Sequence, residues 1–266
     1  MLTHQKLKVY EKALALAACA QELSASWGRP HAIVEHYCRA SESIVLNIAE
    51  GSRLWSGPDK ARSLDYAIGS ALECAACLDI ATIKGRLGRD RSLTDKMRFL
   101  EITRMLIGLR KAWVQSVMSE EPIPYQAEAS SPGGQALFHH ESLDLYQVGL
   151  DFMGWFVDLP GGRDLSERLC RAVDKCATAT ILNVAEGNGR YSELDHRRFL
   201  EIAAASAVKA VAYLELYEQK ALSTSIQTAQ GRELLSRIIA NAQRILTSNR
   251  FHFDKFPTKL PTKAPH

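Results

Sequence analysis

Cys74-x-x-Cys77 has the spacing of a redox or zinc pair, and Glu193-x-x-His196 has the spacing by which di-iron helical bundles project two ligands inward. Neither finds its complement. A zinc site needs a second Cys pair and a thioredoxin-type motif needs a preceding strand, whereas Cys74 and Cys77 lie in an Ala-rich helical run. A di-iron site needs a second Glu-x-x-His and two further Glu on facing helices. The segment that matches 193–196 in the other half reads Gly57-Pro58-Asp59-Lys60 and carries neither ligand. The cysteine pair is therefore expected to pack, Glu193 and His196 to form a solvated first turn, and no metal or cofactor is expected. Asn47, Glu50 and Gly51 recur as Asn183, Glu186 and Gly187. A lone carboxylate beside an amide lacks a nucleophile, a base partner and a ligand set, so no catalytic residues and no enzyme are expected. The expectation is that these polar groups tie a helix end to its neighbours by hydrogen bonds.

Lys84, Arg86, Arg89, Arg91, Lys96, Arg98, Arg104, Arg110 and Lys111 set nine bases against Asp90, Asp95 and Glu101, a net of +6 within 84–111. Such a cluster serves either as a phosphate-facing surface that steers RNA or DNA without reading bases, or as a solvated helix face. Total charge does not decide between them, since the whole chain is only +3.

The elements that position these residues are legible in a repeat. Displacing the sequence by 136 residues aligns Leu7 with Leu143, Tyr10 with Tyr146, and Leu46–Gly51 with Leu182–Gly187; across 39–74 against 175–210, 12 of 36 pairs are identical. This pattern reads as a tandem duplication. Apolar residues recur at three and four within a copy: Leu7, Tyr10, Leu14 and Ala17; Ile33, Tyr37, Ala40, Ile44 and Ile48; Leu64, Ile68, Ala71, Ala75 and Leu78; Ile102, Leu106, Leu109 and Trp113. Four amphipathic helices per copy follow. Gly51 and Gly187 are expected to stop the second helix as C′ residues, Ser56-x-x-Asp59 and Ser192-x-x-Asp195 to cap the third, and Pro58 to sit in its first turn. The expected fold is all-α, two tandem antiparallel four-helix bundles at 1–119 and 137–250, joined by a Pro/Ser/Gly-rich linker at 120–136 and followed by a flexible tail at 251–266.

Composition agrees, with 46% hydrophobic residues, 8% aromatics and only 16 Gly and 9 Pro. The absence of an uninterrupted run of about 18 apolar residues is read as excluding a transmembrane helix. The amphipathic start without an apolar leader implies a cytoplasmic protein, and the six cysteines are read as reduced small hydrophobes.

The string Arg39-Ala40-Ser41-Glu42-Ser43-Ile44-Val45-Leu46-Asn47-Ile48-Ala49-Glu50-Gly51, followed by Gly69-Ser70-Ala71-Leu72-Glu73, resembles the bacterial four helix bundle protein family. Asn183-Val184-Ala185-Glu186-Gly187 and Arg197–Ala203 resemble the same signature in the second copy. That family includes proteins encoded in intervening sequences of 23S ribosomal RNA genes and the accessory variability determinant of diversity-generating retroelements. The resemblance implies a non-enzymatic, oligomer-forming bundle. It also implies, as partners, further copies of the chain, RNA or DNA, and a reverse transcriptase; no membrane is implied. The first copy has Ser63 where the family usually has Phe, and the second has Lys209 where it usually has Glu. The alternative function is a protein-interaction scaffold that does not bind nucleic acid.

Overall fold

The computed structural model describes residues 2–27, 32–115, 136–159, 168–220 and 224–247, and among these it is all α-helix apart from turns and two short 3-10 segments. The first half holds α1 (Lys8–Ala25), α2 (Ala32–Gly51), α3 (Gly57–Ile83) and α4 (Arg89–Gln115). The second holds α5 (Asp144–Asp158), α6 (Arg168–Asn188), α7 (Glu193–Gln219) and α8 (Ser225–Thr247). The bounds of α3 and α7 coincide at the 136-residue displacement, and α2 and α6 differ by one residue at their ends. In each half, helices consecutive in sequence pack on one another and the first also meets the fourth, which makes a four-helix bundle. Of the expected linker only Ala136 is described, and the tail at 251–266 lies outside the described residues.

Local chemistry sets the helix ends. Ser56 Oγ accepts the Asp59 backbone N–H at 3.1 Å with Pro58 in the first turn, and Ser192 Oγ accepts that of Asp195 at 3.4 Å. Helix α3 stops at Gly85, whose φ of +67° needs a residue without Cβ, and the Arg86 N–H closes back on the Ala81 carbonyl at 2.8 Å. Gly51 and Gly187 are not such stops. Gly51 is the last residue of α2 and Gly187 the last but one of α6, so neither is a C′ residue, and Gly85 alone has a positive φ among the described glycines.

The halves share one continuous apolar cluster. Its centre is α3, which packs against α2 and α4 of its own bundle and also against α5 and α6 of the other. Ala71, Ala75, Ala76 and Ala81 keep it thin enough to be surrounded. This corrects the expectation that nothing here is apolar enough to span a membrane: α3 passes on length and composition, with a mean hydropathy of 1.4, and 78% of that window is buried within the protein. Three of the four expected stripes face the core. On α1 the fully buried residues are Val9, Ala13, Leu16 and Ala20, while Leu7, Tyr10 and Ala17 pack half-buried at the margin of the core and Leu14 is exposed.

Candidate functional site at the seam between the bundles

The repeated motif is structural on both sides, by means other than expected. Asn47 Nδ2 donates to the Ser43 carbonyl at 2.7 Å, and Asn183 Nδ2 donates to the Ala179 carbonyl at 2.7 Å, so each amide bonds back into its own helix and not to Glu50 or Glu186. The link to the next helix runs through Ser43, whose hydroxyl accepts from Ser70 Oγ on α3 at 2.8 Å. The glycines serve close packing. A Cβ on Gly187 would lie 2.7 Å from Phe199 Cβ, and one on Gly51 would lie 3.1 Å from both Ser63 Cβ and Trp113 Cζ3. Where the first copy has Ser63 in place of an aromatic ring, Trp113 of α4 occupies the space. Glu50 is exposed, whereas Glu186 is half-buried and holds Arg190 at 2.5 Å. Burial, and after it Glu73, pushes the Glu186 carboxyl up despite Arg190.

The basic segment is divided by the fold. Lys84 and Lys96 do not face solvent: Lys84 Nζ is 2.5 Å from Asp174 with its side chain 7% exposed, and Lys96 Nζ lies 2.8 Å from Asp79 and 2.7 Å from Glu141. Arg110 is 2.6 Å from Asp65 and its guanidinium stacks 3.9 Å above the Tyr191 ring. These three bases hold the bundles together because each meets a group of the other half directly or through a shared partner. Arg91 and Arg98 are exposed but share the buried Asp95 at 2.7 and 3.1 Å. Arg86, Arg89 and Arg104 are exposed, Lys111 is half-buried, and none of them has an acidic partner among the described residues.

A polar chain crosses the seam at α3, α4 and α5. Tyr146 Oη donates to Asp79 at 2.9 Å, Lys96 bridges Asp79 and Glu141, and Glu141 Oε2 accepts the Leu137 N–H at 2.8 Å. Burial works against the Lys96 ammonium, but Asp79 and Glu141 outweigh it and hold its pKa above the usual lysine range. Burial pushes Glu141 up, and Lys96 partly offsets this. At the other end lies a cleft of about 640 Å³ lined by Arg62, Asp65, Tyr66 and Arg110 of the first half and Arg190 and Tyr191 of the second. Arg190 is wedged between the rings of Tyr66 and Phe199, 4.5 and 4.9 Å from their centroids, with Nε and Nη1 unbonded. Desolvation raises the Asp65 pKa to about 6, against its hydrogen bond to Arg110. Asp79, Glu141, Tyr146, Asp174 and Arg190 were not singled out from the sequence, and only the alignment of Tyr146 with Tyr10 marked any of them.

The other sequence candidates are inert. Cys74 and Cys77 are fully buried and burial raises both thiols, while all six cysteines are free. His196 donates from Nδ1 to the Gly187 carbonyl at 2.8 Å, and burial lowers its pKa. Among the described residues no group of three or more His, Cys, Asp or Glu is placed to hold a metal. Neither the curated proteins nor the solved structures contain a match to this chain. Residues 5–108 match the family model described as 23S rRNA-intervening sequence protein. That span runs from the first 3-10 segment to late α4, so the first four-helix bundle is similar to the 23S rRNA-intervening sequence protein family.

Proposed function

We propose that this chain is a non-catalytic cytoplasmic scaffold, built by duplication of one bundle, that holds other macromolecules together through its helix faces. The observation that supports this is an outward apolar stripe on α7, where Ile202, Val208 and Leu216 stand exposed at helical spacing beside Ala205 and Ala212. Lys84, Lys96 and Arg110 of the basic segment are consumed in pairs within the chain. A photo-crosslinking residue placed at Val208 in cells tests it: adducts with protein support the scaffold, and their absence overturns it.

A second reading is an accessory factor that binds nucleic acid, or an enzyme of nucleic acid such as a reverse transcriptase. It is supported by Arg86, Arg89, Arg104 and Lys111, the cations of the 84–111 segment without an acidic partner among the described residues. Charge reversal at Arg104 and Lys111 should weaken binding to generic RNA and flatten its salt dependence without unfolding the bundle. RNA binding equal to wild type leaves the scaffold alone.

A further inference from the structure

The two bundles leave a corner open along their seam. The first turns of α3 and α7 and the late turns of α4 wall the cleft of about 640 Å³, within the size range of sites for small organic molecules and placed, as such sites often are, between two packed units. Part of its wall is apolar. Pro58 and Leu194 are exposed there, Leu194 by 79%, and Tyr66 is 40% exposed with Arg190 stacked on its ring. The acids of the lining are already matched: Asp65 holds Arg110 at 2.6 Å, and Asp195 stands in the first turn of α7, where the helix N-terminus favours a negative charge. The cations are in surplus. Arg62 is exposed and has no acidic partner among the described residues, and Arg190, whose side chain is only 5% exposed, leaves Nε and Nη1 unbonded while Nη2 holds Glu186. Idle donors on a buried guanidinium cost free energy until an acceptor reaches them.

We propose that this cleft binds a small aromatic monocarboxylate, with its carboxylate on Arg62 and Arg190 and its ring against Tyr66, Pro58 and Leu194. Charge sets the class. Arg62 is the unmatched cation of the lining among the described residues, so one negative charge completes it, whereas a phosphate monoester brings about two into a lining that already holds Asp65 and Asp195. Surface sets the rest, because an inorganic anion covers little of the apolar wall and a ring covers much of it. Nε of Arg190 turns towards Gly69, where an added Cβ would lie 3.3 Å from it, so Nη1 is the donor left for the ligand. Neither bundle forms this site alone. Arg62 and Tyr66 belong to the first half and Arg190 and Leu194 to the second, and their counterparts at 136 residues are Arg198, Ile202, Leu54 and Pro58, so the duplication supplies no second copy of the cleft. Ile202, Val208 and Leu216 of the α7 stripe do not line it, and the site does not depend on what that stripe binds.

Isothermal titration calorimetry of the purified full chain with 2-naphthoate near neutral pH tests this. Binding should saturate at one molecule per chain with a Kd below about 1 mM. The amide 2-naphthamide, of the same shape without the charge, should bind at least about tenfold more weakly, and so should the dianion 2-naphthyl phosphate. Arg62→Gln should weaken the carboxylate by at least about tenfold while circular dichroism stays that of the wild type, because an exposed and unpaired arginine carries little stability. Arg86→Gln, which removes an exposed cation outside the cleft, should bind as the wild type does. Failure of 2-naphthoate to saturate overturns the proposal, as does binding that Arg62→Gln leaves unchanged. An amide that binds as well as the acid takes the carboxylate out of the recognition, and a phosphate that binds more tightly takes out the single charge; either result overturns the proposed class. None of these outcomes bears on crosslinking at position 208, so the scaffold reading is tested separately.

Discussion

Single residues in this fold are constrained by what sits against them. A methyl at Gly187 meets Phe199, and one at Gly231 meets the Trp155 ring, so Gly187→Ala and Gly231→Ala should each cost about 1–3 kcal/mol, measured as a shift in the urea midpoint. Gly108, inside α4 with open space around it, is the contrasting case: Gly108→Ala should stabilise by about 0.5–1 kcal/mol. The glycine of the repeated motif was legible as a constraint, but spacing cannot separate a glycine needed for φ from one needed for room. That is why Gly51 and Gly187 read as helix stops. His140 is a further residue that spacing did not mark. It is fully buried with neither ring nitrogen bonded, and burial, then Lys96 and His139, hold its pKa well below the ordinary value. The folded state keeps it neutral while the unfolded chain binds a proton below about pH 6.5, so stability is lost as the pH falls through that value, by up to about 1.4 kcal/mol per unit. His140→Phe should flatten that limb of the stability profile.

Among elements, the helices were written plainly and their docking was not. Ser56, Ser192 and Pro58 act where the sequence placed them, because capping is decided within one turn. The seam joins residues far apart in the chain, such as Lys84 with Asp174 and Tyr146 with Asp79, so no window of sequence contains both partners. The basic run illustrates the loss: its spacing was visible, but not that Lys84, Lys96 and Arg110 turn inward. Lys96→Met should leave Asp79 and Glu141 facing each other without a cation and cost about 3–5 kcal/mol, seen as a lowered melting temperature. Asp65 gives a pH signature opposite to that of His140. Its carboxyl titrates near 6 when folded and near 3.8 when unfolded, so the folded state binds the extra proton between those values, and stability rises as the pH falls from about 6 towards 4. Asp65→Asn should remove that rise, which denaturant titrations at pH 4 and pH 6 will resolve.

At the scale of the molecule, one apolar cluster spans both halves, so the bundles depend on each other. A fragment ending at residue 115 would uncover the α3 face that α5 and α6 bury, and it should be markedly less stable than the full chain or should self-associate through that face, as sedimentation will show. The α1 stripe of Leu7, Tyr10, Leu14 and Ala17 belongs to this level too. Leu7, Tyr10 and Ala17 line the margin of the core and Leu14 is exposed, while Val9, Ala13, Leu16 and Ala20 fill it, because a spacing of three and four does not separate the centre of a buried helix face from its edge. The backbone contact between Gly69 and Gly189 has a consequence for how the two halves can change over generations. Where side chains fill a joint, a loss on one helix can be repaired by a gain on the other. Here a Cβ on Gly189 would lie 2.8 Å from the Gly69 Cα, and no substitution on α3 can move that backbone atom aside. The internal joint is closed to drift at this crossing, whereas Ala205 and Arg53 at the matching places already show the latitude of helices that meet no such backbone. Covalent linkage lets this crossing become fixed while the matching positions of the two halves remain free to vary.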